Sequence, residues 1–350
     1  MNTTQSYIST IVILIFLTFF LSCDKEETGD YDPNLLPKDP SASWAINDSI
    51  QFNGPVEYIF ADDNDENLYV SGITWINEKN ESIHTWNGSY WTHLPGNISS
   101  VIYSMAMYND TLYVAGSGLH CEGYDGRQTC VKFTGNSWVP ALEENGWGRA
   151  ITVFDNSLYL GCSGTMKYSD TTWMQISEQE PVKFTELNNE LYAIASNKVV
   201  KWVDQEWQII SGSVNKSFYS LNVHNNKLYA GTSCGKESCE NNFNIYQLNE
   251  DQSWEQIPII VDTDKPYQYI LRDIISYNDE LYAAIWLTLF TIRTETAITI
   301  REYYLVAKLT DNNWVQVGDL FNRSVYKFSI FQNQLYLCGG FTGGIATLND

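Results

Sequence analysis

The chain has 350 residues, enough for a sizeable core and for one to three domains. Its 42 acidic and 20 basic side chains give a net charge of -22, which argues against a nucleic acid or an anionic membrane surface as partner, since both require a basic face. Four histidines leave little material for a multi-histidine metal centre.

The first 22 residues carry no charge, and residues 11–21 (IVILIFLTFFL) form an apolar run of signal-peptide length, short for a membrane span. The run ends in Phe20-Leu21-Ser22-Cys23, which resembles a bacterial lipobox, although the leading MNTTQSY lacks the usual Lys or Arg. That resemblance implies a lipidated Cys23 as mature N-terminus; the alternative is an uncleaved N-terminal anchor. Asp24-Lys25-Glu26-Glu27 resembles the acidic, Lys-containing export tag of surface-exposed lipoproteins in one group of Gram-negative bacteria. Together the two motifs imply a protein on the bacterial outer membrane, exposed to the outside and touching the membrane through its lipid only. The expected organisation is a signal peptide over 1–22, a lipidated Cys and flexible polar tether over 23–42, and a folded domain over 43–350.

From Trp44 onward the chain is periodic. Leu-Tyr recurs at Leu68-Tyr69, Leu112-Tyr113, Leu158-Tyr159, Leu191-Tyr192, Leu228-Tyr229, Leu281-Tyr282 and Leu335-Tyr336. A Trp sits between successive copies, at Trp91, Trp138, Trp173, Trp207, Trp254 and Trp314. Repeats of 33 to 54 residues mean a solenoid, an array or a propeller. The segments are short, rich in Tyr, Val, Ile and Trp, and broken by Asn-Asp and Asn-Gly turns, so they read as strands. The second unit gives strand a (102–108), an Asn109-Asp110 turn, strand b (112–115), strand c (129–133) and a strand d opened by Trp138. Four antiparallel strands per unit make one propeller blade.

The last unit has strands a, b and c but ends before its Trp strand, and the N-terminal segment offers a Trp strand, Trp44-Ala45-Ile46, with nothing before it. The expected fold is therefore an all-β, seven-bladed propeller of four-stranded blades, closed by an N-terminal strand d that completes the last blade. Leu-Tyr-Val-x-Gly followed by Trp-Asn-Gly-x-x-Trp resembles the kelch and galactose-oxidase central-domain propellers. The double glycine of kelch blades survives only as Gly339-Gly340. A copper centre of the galactose-oxidase kind would need Tyr, His and cross-linked Cys ligands, which four scattered histidines do not favour.

Setting Cys23 aside, six cysteines remain in an oxidising location. Cys121 and Cys130 flank one loop and Cys234 and Cys239 another, and both pairs read as disulfide staples. Cys162 and Cys338 fall on strand b of non-adjacent units and read as buried free thiols.

The a-b and c-d turns are nearly all minimal, the acidic turn of the first unit being the long one, whereas the other long segments are b-c or d-a, on the opposite face. The largest, 286–304, alternates apolar and polar residues and predicts a protruding hairpin. Function on loops over a rigid scaffold is the usual arrangement. Nine residues before each Leu of Leu-Tyr, allowing two more in the first unit, stand Glu57, Tyr103, Arg149, Val182, Tyr219, Arg272 and Tyr326. All are expected at the axial opening on the variable face, where Tyr faces stack on sugars and Arg forks carboxylates or sulfates. The competing reading is packing between blades.

The acidic turn 62–66 could present oxygens of Asp62, Asn64 and Glu66 to Ca2+, but it lacks EF-hand spacing, and a solvated turn is preferred. No HExxH or P-loop is present. The expected function is a monomeric binding module for an extracellular glycan or a protein partner, with no cofactor. Two alternatives stay open: a polysaccharide lyase or hydrolase, in which Tyr219 would act as base beside Arg272, and a structural component of a surface assembly.

Overall fold

The computed structural model describes residues 35–349, apart from 48–49, 51, 53, 63, 77–78, 97, 143–145, 170, 235–242, 261–266, 295–296 and 311–312. The leader, Cys23 and Cys239 lie outside the described residues, as does the side chain of Cys234. Residues 34–350 form one compact unit. Every described element is a strand, and no described helix is long and apolar enough to cross a membrane.

Each repeat folds as a meander. Its hairpins turn on two residues of positive φ, among them Asn109-Asp110, Asp155-Asn156, Asn188-Asn189, Asn225-Asn226, Asn278-Asp279 and Gln332-Asn333. Two successive left-handed residues define the turn whose twist matches antiparallel strands, and Asn and Asp adopt that backbone most readily after glycine. The N-terminal strand Ser43–Ile46 pairs antiparallel with the C-terminal strand Ile345–Asn349, placing Trp44 opposite Leu348.

The expectation of seven four-stranded blades is overturned by the hydrogen bonding. The strands form six sheets: five of blade size in a propeller-like ring, and one of eight strands. The merger has a local cause. Strand Tyr267–Tyr277 begins earlier than its counterparts, and its first residues pair with the end of strand Lys227–Cys234, Ser233 with Ile270 and Cys234 with Tyr269. The buried hydroxyls of Thr232 and Tyr269 meet across this junction at 3.1 Å. Strands Glu280–Thr294 and Ala297–Thr310 continue the same sheet as a long hairpin, paired out to Thr294 and Ala297, where the alternation of 286–304 places one.

The Leu-Tyr pairs are the mortar of the ring. Side chains alternate across a strand, so each Leu enters the apolar layer on one side of its sheet and each Tyr the layer on the other. Tyr69 shares a layer with Leu112, Tyr113 with Leu158, and Tyr159 with Leu191. The series runs on through Tyr192 with Leu228, Tyr229 with Leu281, and Tyr282 with Leu335. Tyr336 and Leu68 then share a layer, which closes the circle. Outer-strand tryptophans add polar ties: the indole N–H of Trp173 donates to Ala141 O at 2.8 Å, Trp254 to Ile210 O at 2.9 Å and Trp44 to Val317 O at 3.0 Å.

Residues 35–41, assigned by the sequence to the tether, lie against the eight-stranded sheet. Leu35 and Leu36 are buried in its apolar layer, Asp39 pairs with Lys308 at 2.9 Å, and Lys38 bridges to Gln316.

The stapled-loop expectation fails for Cys121 and Cys130, which are free, buried thiols. Cys121 packs in the layer with Tyr69 and Leu112, Cys130 in the next layer with Cys162. The two side chains thus leave opposite faces of one sheet. Cys162 and Cys338 are likewise free and buried.

Candidate functional site: the central cavity

The innermost strands of the repeats, Val56–Ala61, Ile102–Tyr108, Ala150–Phe154, Pro181–Leu187, Ser217–His224, Tyr267–Tyr277 and Val325–Phe331, pack side by side around the ring axis. They enclose a cavity of about 840 Å³, within the range of small-molecule sites. Glu57, Tyr103, Arg149, Val182, Tyr219, Arg272 and Tyr326 all line it.

A repeated β-bulge puts them there. Val56 pairs with Gly72 and Tyr58 with Ser71, which leaves Glu57 as the extra residue. The same interruption isolates Tyr103 between Ile102 and Ser104, and Val182 between Pro181 and Lys183. It isolates Tyr219, Arg272 and Tyr326 in the same way. In the third repeat, Arg149 donates its backbone N–H to Gly161 O at 2.8 Å, while Ala150 is the residue paired with Gly161. A bulge re-aims a side chain and increases local twist. Here it turns two consecutive residues of most inner strands toward the axis.

Glycine opposite the bulge allows the close backbone approach this requires. A Cβ at Gly116 would collide with Val101 O, and one at Gly339 with Ser324 O. The N–H groups of Ser117 and Gly340 donate to these same two carbonyls at 2.9 and 2.8 Å.

The second residues of the bulges were missed in the sequence reading, and they carry much of the charge. Lys183 donates to Asp273 Oδ1 at 2.9 Å, from an inner strand two repeats away. Asp273 Oδ2 accepts the backbone N–H of Phe328 at 3.1 Å. Lys327 lies over the Tyr58 ring at 4.7 Å, and the Tyr58 hydroxyl meets Ser104 Oγ at 3.2 Å. Burial pushes the Asp273 carboxyl up, but Lys183, Lys327 and the Phe328 N–H together hold it below the ordinary range. Burial also opposes the Lys327 charge, yet Tyr58 and Asp273 outweigh it and raise the ammonium above its usual value. The Glu57 carboxyl is raised by burial, in part offset by the Ile102 N–H.

Two arginines also line the wall, each on an indole. The Arg149 guanidinium lies 5.1 Å from the Trp147 ring and donates through Nε to Glu180 Oε1 at 3.1 Å. Arg272 lies between the Trp286 ring at 4.9 Å and the Tyr326 ring at 5.8 Å. Such stacking suits a planar, weakly hydrated cation. Burial lowers the Arg272 pKa, and the phenols of Tyr326, Tyr304 and Tyr219 oppose that shift. Around the mouth Val101, Tyr103, Trp147, Val182 and Tyr219 are all exposed, an apolar cluster of the kind that marks a binding surface.

Among the described residues the lining has four cations, Arg149, Lys183, Arg272 and Lys327, against two carboxylates, Glu57 and Asp273, with Glu180 paired to Arg149 beside it. Low-dielectric walls focus that positive field. Asn197, on the turn between the second and third strands of its repeat, also lines the cavity, so the mouth opens on the face of the b-c and d-a connections.

The other sequence candidates lie elsewhere. Asp62 is buried and spends its oxygens on its own turn, accepting the N–H groups of Glu66 at 2.8 Å and Asn67 at 3.2 Å. Among the described residues no group of His, Cys, Asp and Glu side chains is arranged to hold a metal ion. His84 and His93 pack with ring centroids 5.5 Å apart, outside the cavity lining.

No family model matches the chain, and no curated protein matches it by sequence. Among solved structures it is similar to the extracellular domain of a one-component system from B. thetaiotaomicron, with 12% identity, a TM-score of 0.45 and coverage of 85% of this chain and 51% of that one. It is also similar to a luciferin-regenerating enzyme, with 10% identity, a TM-score of 0.46 and coverage of 88% and 95%. The chain spans about half the length of the first of these. Likenesses this distant say nothing about ligand or activity.

Proposed function

We propose that the chain is an outer-membrane lipoprotein whose central cavity captures an anionic extracellular glycan. The observation that carries this reading is the sign of the cavity. In a chain of net charge -22, four cations gather around one opening with two carboxylates in the lining and a third, Glu180, paired to Arg149. Nothing in overall composition would produce that excess by default. Arg forks recognise carboxylates and sulfates with directed hydrogen bonds, and the exposed Tyr103 and Tyr219 offer flat apolar faces to a sugar ring.

The lipobox at Cys23 and the acidic tag that follows support the address. Kinship with the kelch and galactose-oxidase propellers belongs to the same reading, and rests on Leu-Tyr-Val-x-Gly and on the bulge-facing glycines.

A second reading has one observation in its favour. Tyr219 and Arg272 line the same cavity from adjacent inner strands, the arrangement of a phenol base beside a charge neutraliser in β-elimination from a uronic acid. One experiment separates the two. The purified chain is titrated with uronate-rich, sulfated and neutral polysaccharides, while unsaturated and reducing ends are followed over time. Capture of an acidic polymer without new chain ends supports the binding module. Turnover replaces it with the lyase or hydrolase, and equal binding of the neutral polymers removes the anionic assignment.

A further inference from the structure

Resting on the anionic-glycan reading, we infer that the ligand is a linear acidic oligosaccharide whose chain leaves the central cavity over Tyr326 and continues into a second subsite built around Arg323. A groove of about 490 Å³ adjoins the cavity, lined by Pro55, Glu302, Tyr304, Arg323, Ser324 and Tyr326, among others. Pro55 and Tyr326 line both spaces, so Tyr326 is the wall between them. The wall is layered: the Tyr304 and Trp286 rings lie 5.9 Å apart, Arg272 lies 4.9 Å from Trp286, and Tyr326 covers Arg272 at 5.8 Å. An aromatic ridge flanked by cations on both sides is complementary to a chain of sugar rings bearing one negative group each.

The groove has the chemistry of a sugar subsite. Arg323 has no acidic partner among the described residues and is free to meet a carboxylate or sulfate. Glu302 already accepts the Tyr304 hydroxyl at 2.6 Å and has a second oxygen for a sugar hydroxyl. Asn322 is fixed by Thr342, donating to its Oγ1 at 2.7 Å and accepting its N–H at 3.1 Å, which holds the loop bearing Arg323 in place. The loop closes again where Gly340 N–H donates to Ser324 O at 2.8 Å. An acidic peptide would have no ring to lay on the Tyr326 wall, so a polar groove with an aromatic wall and one unpaired cation favours a sugar chain.

Calorimetric titration of the full chain with short and long members of oligogalacturonide, hyaluronan and heparin-derived series tests this, with a poly-glutamate series as the peptide probe. In at least one sugar series affinity rises with length by about tenfold or more, the factor one charge-assisted contact carries. Arg323→Ala abolishes that rise and leaves the shortest ligand bound as before. Arg323→Glu, checked for an unchanged melting temperature, does the same and weakens the long members further. A rise that survives both variants, or affinity independent of length, overturns the subsite while leaving the cavity reading intact. Absence of binding to every sugar series overturns the cavity reading itself. Length-dependent binding of poly-glutamate alone overturns the assignment to a sugar.

Discussion

Lys183 and Asp273 meet at 2.9 Å although 90 residues and an intervening repeat separate them. Their contact ties together two inner strands that are not neighbours in the ring. Asp273 also accepts the Phe328 N–H and is set against both Lys183 and Lys327. Removing one member of a buried pair leaves an uncompensated charge at a cost of about 3–5 kcal/mol. Denaturant unfolding should therefore show Asp273→Ala losing that order of stability, because it strips Lys183 and Lys327 of their shared carboxylate, and Lys183→Met losing less, because Lys327 and the Phe328 N–H still face Asp273. The double variant should lose no more than Asp273→Ala alone, since it removes one of the two cations left bare. Additive losses would mean that the pair is incidental.

The acid side of the stability profile should depend on His84. Burial, reinforced by His93, lowers its pKa to about 4 from the ordinary value near 6.5. Between those values the unfolded chain binds a proton that the folded chain refuses, so stability falls as pH drops from about 6.5 to about 4. The loss amounts to about 2–3 kcal/mol from this group. Asp273, held low, adds its own loss only further down, below the ordinary carboxylate range. His84→Gln should flatten the upper part of the profile, measured as denaturation midpoint against pH, and leave the lower part in place.

The thiols should be silent. Burial pushes Cys121 up to about 11, and Cys130 and Cys338 are raised further by the same cause. Nucleophilic attack needs the thiolate. Iodoacetamide at neutral pH should leave Cys121, Cys130 and Cys338 unmodified in the native protein and label them after denaturation without reductant. A peptide linking Cys121 to Cys130 would contradict the placement of these side chains on opposite faces of their sheet.

Much of this architecture was legible in the chain. The Leu-Tyr period located the second strand of every repeat, and counting back from it found the residues that face the axis. Trp44 announced the closing strand. What could not be read was hydrogen bonding beyond the repeat. Nothing in the apolar pattern of residues 267–270 tells whether they hang free or pair with Ser233 and Cys234, and that pairing merges two sheets into one. The cysteine spacing of Cys121 and Cys130 likewise carries no information about faces. Lys183, Asp273 and Lys327 were missed for a sharper reason. Each directly follows an axial residue, and ordinary strand alternation would point it the other way. Only the bulge brings both toward the axis. Its trace in the sequence was available: polar or charged neighbours inside otherwise apolar strands, as in Leu-Arg-Asp-Ile at 271–274 and Val-Tyr-Lys-Phe at 325–328.

The most direct test of an anion-binding cavity is to remove its two stacked cations together. Arg149→Ala with Arg272→Ala should leave the ring folded, since neither side chain belongs to the apolar layers. Affinity for the acidic polysaccharide selected by titration should fall at least about a hundredfold, the combined worth of two charge-assisted contacts. Binding of that polysaccharide by the double variant at wild-type affinity would contradict the account.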